Sequence, residues 1–205
     1  MTNLHIGECP ALEDGTIEIR RYLKSDELVR LAKTGCTESR DEPLSTDETT
    51  EVNVERLYKL ASVDRPAHFT SLAIMIRRTS NGKTALALYG GNVLVVKPEV
   101  LRDTLVVNGD MKNVGRYIQD GDTKNVFVRR GTEVGYPELL KLVENNRPNT
   151  TGLRLRGTYF EGRLLRALRV EDVQAIYVRY EDDEQALTAA RAILNGTSLK
   201  PPGAI

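Results

Sequence analysis

The chain is poor in the residues that build metal centres and covalent frameworks. It has two cysteines, Cys9 and Cys36, and two histidines, His5 and His68, among 205 residues. Two distant cysteines have neither the density of a disulfide framework nor the spacing of a zinc site, which points to a reducing compartment and no structural metal. Excess charge is missing too. Lys and Arg number 29, as do Asp and Glu, so no global field draws the protein to nucleic acid or to a membrane. No apolar run approaches the ~20 residues of a membrane span. The start, Met-Thr-Asn-Leu-His-Ile-Gly-Glu-Cys-Pro, lacks the charge-then-apolar layout of a signal peptide. A cytoplasmic location is the expectation. Gly90-Gly91 invites a phosphate-loop reading, but no Gly-rich spacing with a following Lys-Ser/Thr exists, so there is no P-loop or dinucleotide fingerprint.

The length suits one domain with a real core. Residues 1–15 carry little pattern and predict a loosely held arm, 16–196 form the domain, and 197–205 read as a tail. Thr16–Leu23 alternates as a strand, with Ile17, Ile19, Arg21 and Leu23 on one face and Thr16, Glu18, Arg20 and Tyr22 on the other. Arg20 is expected to be solvated. Ser25–Lys33 predicts a helix capped by Ser25, buried through Leu28, Leu31 and Ala32, and ended at Gly35. Residues 36–51, acidic and nearly free of apolar side chains, predict a mobile loop. Helical spacing returns over Val52–Ala61. A short strand at His68–Leu72 then runs into the apolar segment Ala73–Ile76.

Asn92–Lys97 is apolar on both sides, which predicts a central strand. Pro98–Arg102 reads as a helical turn, and Thr104–Val107, Asn125–Arg130 and Val173–Val178 as strands. Pro137–Glu144 and Asp183–Leu194 read as helices, the second stopped by Asn195-Gly196. Strands and helices mix without regular alternation, so the class is α+β, a compact fold of mixed or antiparallel sheet with a few helices.

The chemistry centres on Arg156-Gly-Thr-Tyr-Phe-Glu-Gly-Arg163. From Asn145 to Val170, Glu161 is the only acid, surrounded by Arg147, Arg154, Arg156, Arg163, Arg166 and Arg169. Alternation places Leu153, Leu155, Tyr159 and Glu161 on one face and Arg154, Arg156 and Phe160 on the other. An inward carboxylate there is either a catalytic acid or one half of a buried ion pair. The arginines suit a solvated face, an acidic protein surface or nucleic acid. Arg21 lies on an apolar face and needs an anion, which a carboxylate of the fold or a ligand phosphate supplies. Thr70 and Ser71 either cap a buried helix or orient a carboxylate.

The order Arg21-Tyr22, Phe69-Thr70-Ser71-Leu72, Tyr159-Phe160-Glu161 resembles the ADP-ribosyltransferases of the arginine, serine, glutamate type, which include bacterial toxin domains and phage enzymes. Tyr89–Glu99 followed by Asn108-Gly-Asp110 looks like their central strand and turn. Phe160–Arg163 with Arg169–Ile176 looks like their glutamate strand and the next one. The family's first motif serine corresponds to Phe69. Members that modify arginine usually have glutamate two places before the catalytic one, where this chain has Tyr159.

The resemblance implies NAD as cosubstrate, with Arg21 clamping a phosphate and Ser71 or Thr70 holding Glu161. Glu161 would bond the ribose hydroxyls and stabilise positive charge as nicotinamide leaves. Tyr22, Phe69 and Tyr159 are the aromatic candidates at the cofactor, with core packing the competing role for Phe69 and Tyr159. The acceptor, protein, nucleic acid or water, stays open, as does a neutralising antitoxin. A hydrolase that cleaves NAD without an acceptor is one alternative. A noncatalytic partner-binding protein, with Glu161 and Arg21 a structural ion pair, is the other.

Overall fold

A computed structural model of the chain describes residues 3–10, 17–37, 48–66, 69–75, 91–108, 128–131 and 159–197. The strands are β1 (Leu4–Ile6), β2 (Glu18–Leu23), β3 (Thr70–Met75), β4 (Asn92–Val96), β5 (Thr104–Asn108), β6 (Val128–Arg130), β7 (Tyr159–Leu164) and β8 (Val173–Val178). They form one eight-stranded sheet in the order β1-β8-β4-β2-β3-β7-β5-β6. Every neighbouring pair is antiparallel except β1 with β8. Among the described residues three α-helices join it: α1 (Ser25–Thr34), α2 (Glu48–Leu60) and α3 (Glu184–Leu194). The α+β class holds in this general sense.

Helices cover both faces of the sheet. On one, α1 supplies Leu28, Leu31 and Ala32 and α3 supplies Ala186, Ala189 and Ile193 against Ile19, Leu23, Leu72, Leu94 and Ile176. Burying a leucine fully stabilises by about 2 kcal/mol, so this layer contributes strongly to the core. On the opposite face, Leu57 and Tyr58 of α2 pack on Leu105, Val107 and Val128. β4, buried at all five positions, is central as its composition requires.

Several expectations need correction. Residues 3–6 do not form a loose arm: β1 pairs with β8 in the register Leu4↔Ile176, His5↔Tyr177, Ile6↔Val178. The His5 and Tyr177 rings stack with centroids 4.5 Å apart, and Asn3 Nδ2 donates to the Gln174 carbonyl at 2.7 Å. Ser25 is not the cap of α1. Lys24 is, its N–H bonded to Glu27 Oε2 at 2.9 Å. The Ser25 hydroxyl instead donates to Asp183 and accepts from Asn92 Nδ2, tying α1 to the N-cap of α3 and to β4.

The expected loop 36–51 is shorter at both ends. Cys36 bridges Arg169, the Thr37 N–H donates to the Leu168 carbonyl, and α2 starts at Glu48. Residues 38–47 lie outside the described residues. So do Pro137–Glu144, the start of Asn125–Arg130, and the Leu153, Leu155, Arg154 and Arg156 positions. Among the described residues no helix is long and apolar enough to cross a membrane.

The connection from β7 to β8 is held by Asp172. Its carboxylate accepts from Arg166 Nη1 at 2.7 Å, Arg166 Nη2 at 3.0 Å and the Arg169 N–H at 2.8 Å. Burial works against its charge, but these bonds outweigh it and hold the pKa below the ordinary 3.8. A carboxyl depressed by folding stabilises above its unfolded pKa, and that contribution is lost as pH falls through the folded value. Asp172→Asn is therefore expected to cost about 1–2 kcal/mol near neutral pH. Below the unfolded value the difference from wild type should shrink in urea denaturation.

Candidate active site

The three segments that carry the candidate residues sit on adjacent strands, β2, β3 and β7. β3 pairs with β7 along its whole length, from Thr70↔Leu164 to Met75↔Tyr159. β2 pairs with β4 as far as Leu23↔Asn92. Between β2 and β3, however, pairing covers only Glu18↔Met75, Ile19↔Ile74 and Arg20↔Ala73. Beyond Arg20 the two strands part, and the sheet forks. Arg21 stands at the fork, where its Nη1 donates to the carbonyl of Ser71 at 3.0 Å.

Register assigns the faces. Arg20, Ala73, Glu161 and Val107 lie in one row across the sheet, with Ser71, Arg163 and Leu105 in the next row on that face. Tyr22 shares it. Arg21 and Thr70 belong to the other face, beside the helix layer. Arg21 and Glu161 are thus brought onto nearby strands but opposite faces.

Glu161 is 8% exposed. Its Oε1 accepts from Arg163 Nη2 at 3.2 Å, and the Arg163 side chain is 1% exposed. The guanidinium carbon lies 4.1 Å from the centroid of Phe69. Arg163 is therefore held between a carboxylate and an aromatic face, an arrangement a lysine would not reproduce. For Arg163 the sequence reading of a solvated face is corrected, whereas Arg169 is exposed and Arg147, Arg154 and Arg156 lie outside the described residues. Glu161 and Arg163 are two residues apart, so the alternation that turned the carboxylate inward turns Arg163 inward as well. That signal was available, and Arg163 is the site residue it should have found.

Arg20 is corrected in the same way. It is 6% exposed, paired to Glu18, and its Nη2 donates to the Pro10 carbonyl at 2.8 Å. The cover comes from the segment before β2, whose Pro10 carbonyl accepts from Arg20 and whose Cys9 lies close by. Burial raises the Tyr22 pKa, against the pull of Arg20 beside it.

No family model, curated protein or solved structure matches the chain.

The two hydroxyls divide by face. Thr70 Oγ1 lies 2.9 Å from Thr37 Oγ1, bonds the Arg166 carbonyl at 3.3 Å, and accepts from the Leu168 N–H at 3.2 Å. It pins the segments after α1 and β7 to the sheet. Neither residue caps a helix, because β3 continues as strand to Met75. Thr70→Val is expected to lower stability by about 1 kcal/mol through the lost bonds to the Thr37 hydroxyl and the Arg166 carbonyl, the Leu168 N–H still being met by Thr37 Oγ1 at 2.9 Å, seen as an earlier urea midpoint. Ser71, half-buried on the Glu161 face and opposite Arg163, is the hydroxyl available to the carboxylate. Phe69 is engaged by Arg163. Tyr159 is in register with Met75, and its side chain lies outside the described residues. Among the described residues, no group of three His, Cys, Asp or Glu side chains could hold a metal ion.

A buried carboxylate braced by a guanidinium, beside a hydroxyl at the fork of a sheet, can bond vicinal hydroxyls and stabilise a developing cation. Burial strengthens that effect, since no water screens it.

Proposed function

We propose that the chain is a NAD-dependent mono-ADP-ribosyltransferase that modifies a macromolecular acceptor. The observation that carries this reading is the fork: the arginine, hydroxyl and glutamate segments named by the resemblance lie on adjacent strands, and the sheet parts between the first two. Arg21, at the gap where β2 and β3 part, holds a phosphate of an NAD that reaches across the fork from the face of Glu161. Ser71 positions Glu161, whose carboxylate bonds the ribose hydroxyls on the nicotinamide side. The C–N glycosidic bond breaks with its electron pair leaving on nicotinamide. An acceptor heteroatom then bonds the ribose carbon and gives up its proton.

Tyr22 and Tyr159 are the aromatic groups for the nicotinamide ring, and Phe69 is assigned to Arg163 instead. The free cysteines, both half-buried, accord with a cytoplasmic effector, toxin-like or phage-borne.

The test is incubation with NAD labelled on the adenylate, alone and with cell lysate. Label on protein or nucleic acid is the expected result. Free ADP-ribose without transfer reassigns the chain to NAD hydrolysis, and intact NAD in every tube overturns both in favour of a noncatalytic binding protein.

A further inference from the structure

The largest fully buried side chain of the described residues is Arg163, and its hydrogen bonding is incomplete. Nη2 bonds Glu161, but Nε and Nη1 are buried and find no partner among the described residues. The Tyr58 hydroxyl, on α2 over the same face of the sheet, is buried and equally without one. An arginine cannot shed its charge to escape this, so two of its nitrogens and a phenol wait for an acceptor. The three groups form one neighbourhood. Burial raises the Tyr58 pKa, and the cations Arg163 and Arg65 act on the phenol ahead of the anions Glu161 and Glu55. Half-buried Phe69 and Ser71 flank Arg163.

We propose that Arg163 and Tyr58 form an anion subsite on the Glu161 face of the sheet that takes a phosphate group. It is separate from the phosphate contact assigned to Arg21, which lies on the other face. The guanidinium nitrogens and the phenol donate to phosphate oxygens. Phe69 keeps the guanidinium plane fixed while they do so. The subsite stands on geometry alone and does not require NAD turnover.

Thermal unfolding of the full chain tests it, with inorganic phosphate or ADP added against chloride at matched ionic strength. The wild type should gain roughly 5 °C at saturating anion. Tyr58→Phe removes only an unbonded hydroxyl, so it should fold at least as stably without anion and lose half or more of the gain. Arg163→Lys should lose nearly all of it. A larger gain with ADP than with phosphate at equal concentration identifies a nucleotide as the source, and equal gains identify free phosphate. No gain over chloride, or a Tyr58→Phe response equal to wild type, overturns the proposal and assigns the three groups to internal water. Turnover of NAD without a phosphate response removes the subsite and keeps the transferase. A phosphate response with inert NAD does the reverse.

Discussion

Glu161→Gln is expected to slow nicotinamide release from NAD by about 10²–10³ fold in a protein that keeps its fold at lower stability, since Arg163 loses its counter-charge. Glutamine keeps the shape of the side chain and an oxygen that accepts from Arg163 Nη2, the bond that spans 3.2 Å in the native protein. What it removes is a full negative charge at a position only 8% exposed, where solvent does little to screen an interaction with a developing oxocarbenium ion. The loss should therefore fall on the chemical step, in kcat more than in KM. Ser71→Ala, which removes only the positioning hydroxyl, should cost less. Unchanged release by the glutamine variant, at wild-type circular dichroism, would remove Glu161 from the mechanism.

Arg163→Met is expected to destabilise the fold by about 3–5 kcal/mol. Methionine fills similar space but leaves the Glu161 carboxylate buried without its ion partner, and it forfeits the contact with Phe69. Adding Glu161→Gln to that variant removes the stranded charge and should recover about 1–3 kcal/mol. Urea denaturation of the four proteins in this cycle reads the coupling directly. Strictly additive losses would mean that the pair contributes no joint stability, and that Arg163 is held by packing alone.

The strands and helices that rest on strong periodicity were legible. Leu28, Leu31 and Ala32 are the buried positions of α1, Val173–Val178 is β8, and Asn92–Val96 is the central strand. Glycine marked the end of α1, where Gly35 has φ of 79°, a conformation that side chains disfavour. What was missed depends on partners distant in sequence. β1 is three residues long and exists because β8 offers it an edge. The burial of Arg20 follows from the Cys9-Pro10 segment laid against it, which alternation within one strand does not name.

The site was half legible for the same reason. Alternation turned Glu161 inward, and the order of motifs linked it to Arg21 and Ser71, but a linear order does not say which faces meet across three strands. Register does, and it sets Ser71, Glu161 and Arg163 together while giving Thr70 to the other face and to Thr37 and Leu168. The fork between β2 and β3 has no signature in local sequence at all. It arises because each strand follows its other neighbour.

The most direct measurement is the map of backbone amide shifts on adding NAD to the isotopically labelled protein, up to about 1 mM, the upper range of ordinary Michaelis constants. The account predicts shifts concentrated at Arg21 and Tyr22, at Phe69–Leu72 and at Glu161–Arg163, around the fork. Shifts confined to the α1 and α3 layer, or none at saturating NAD, would contradict it.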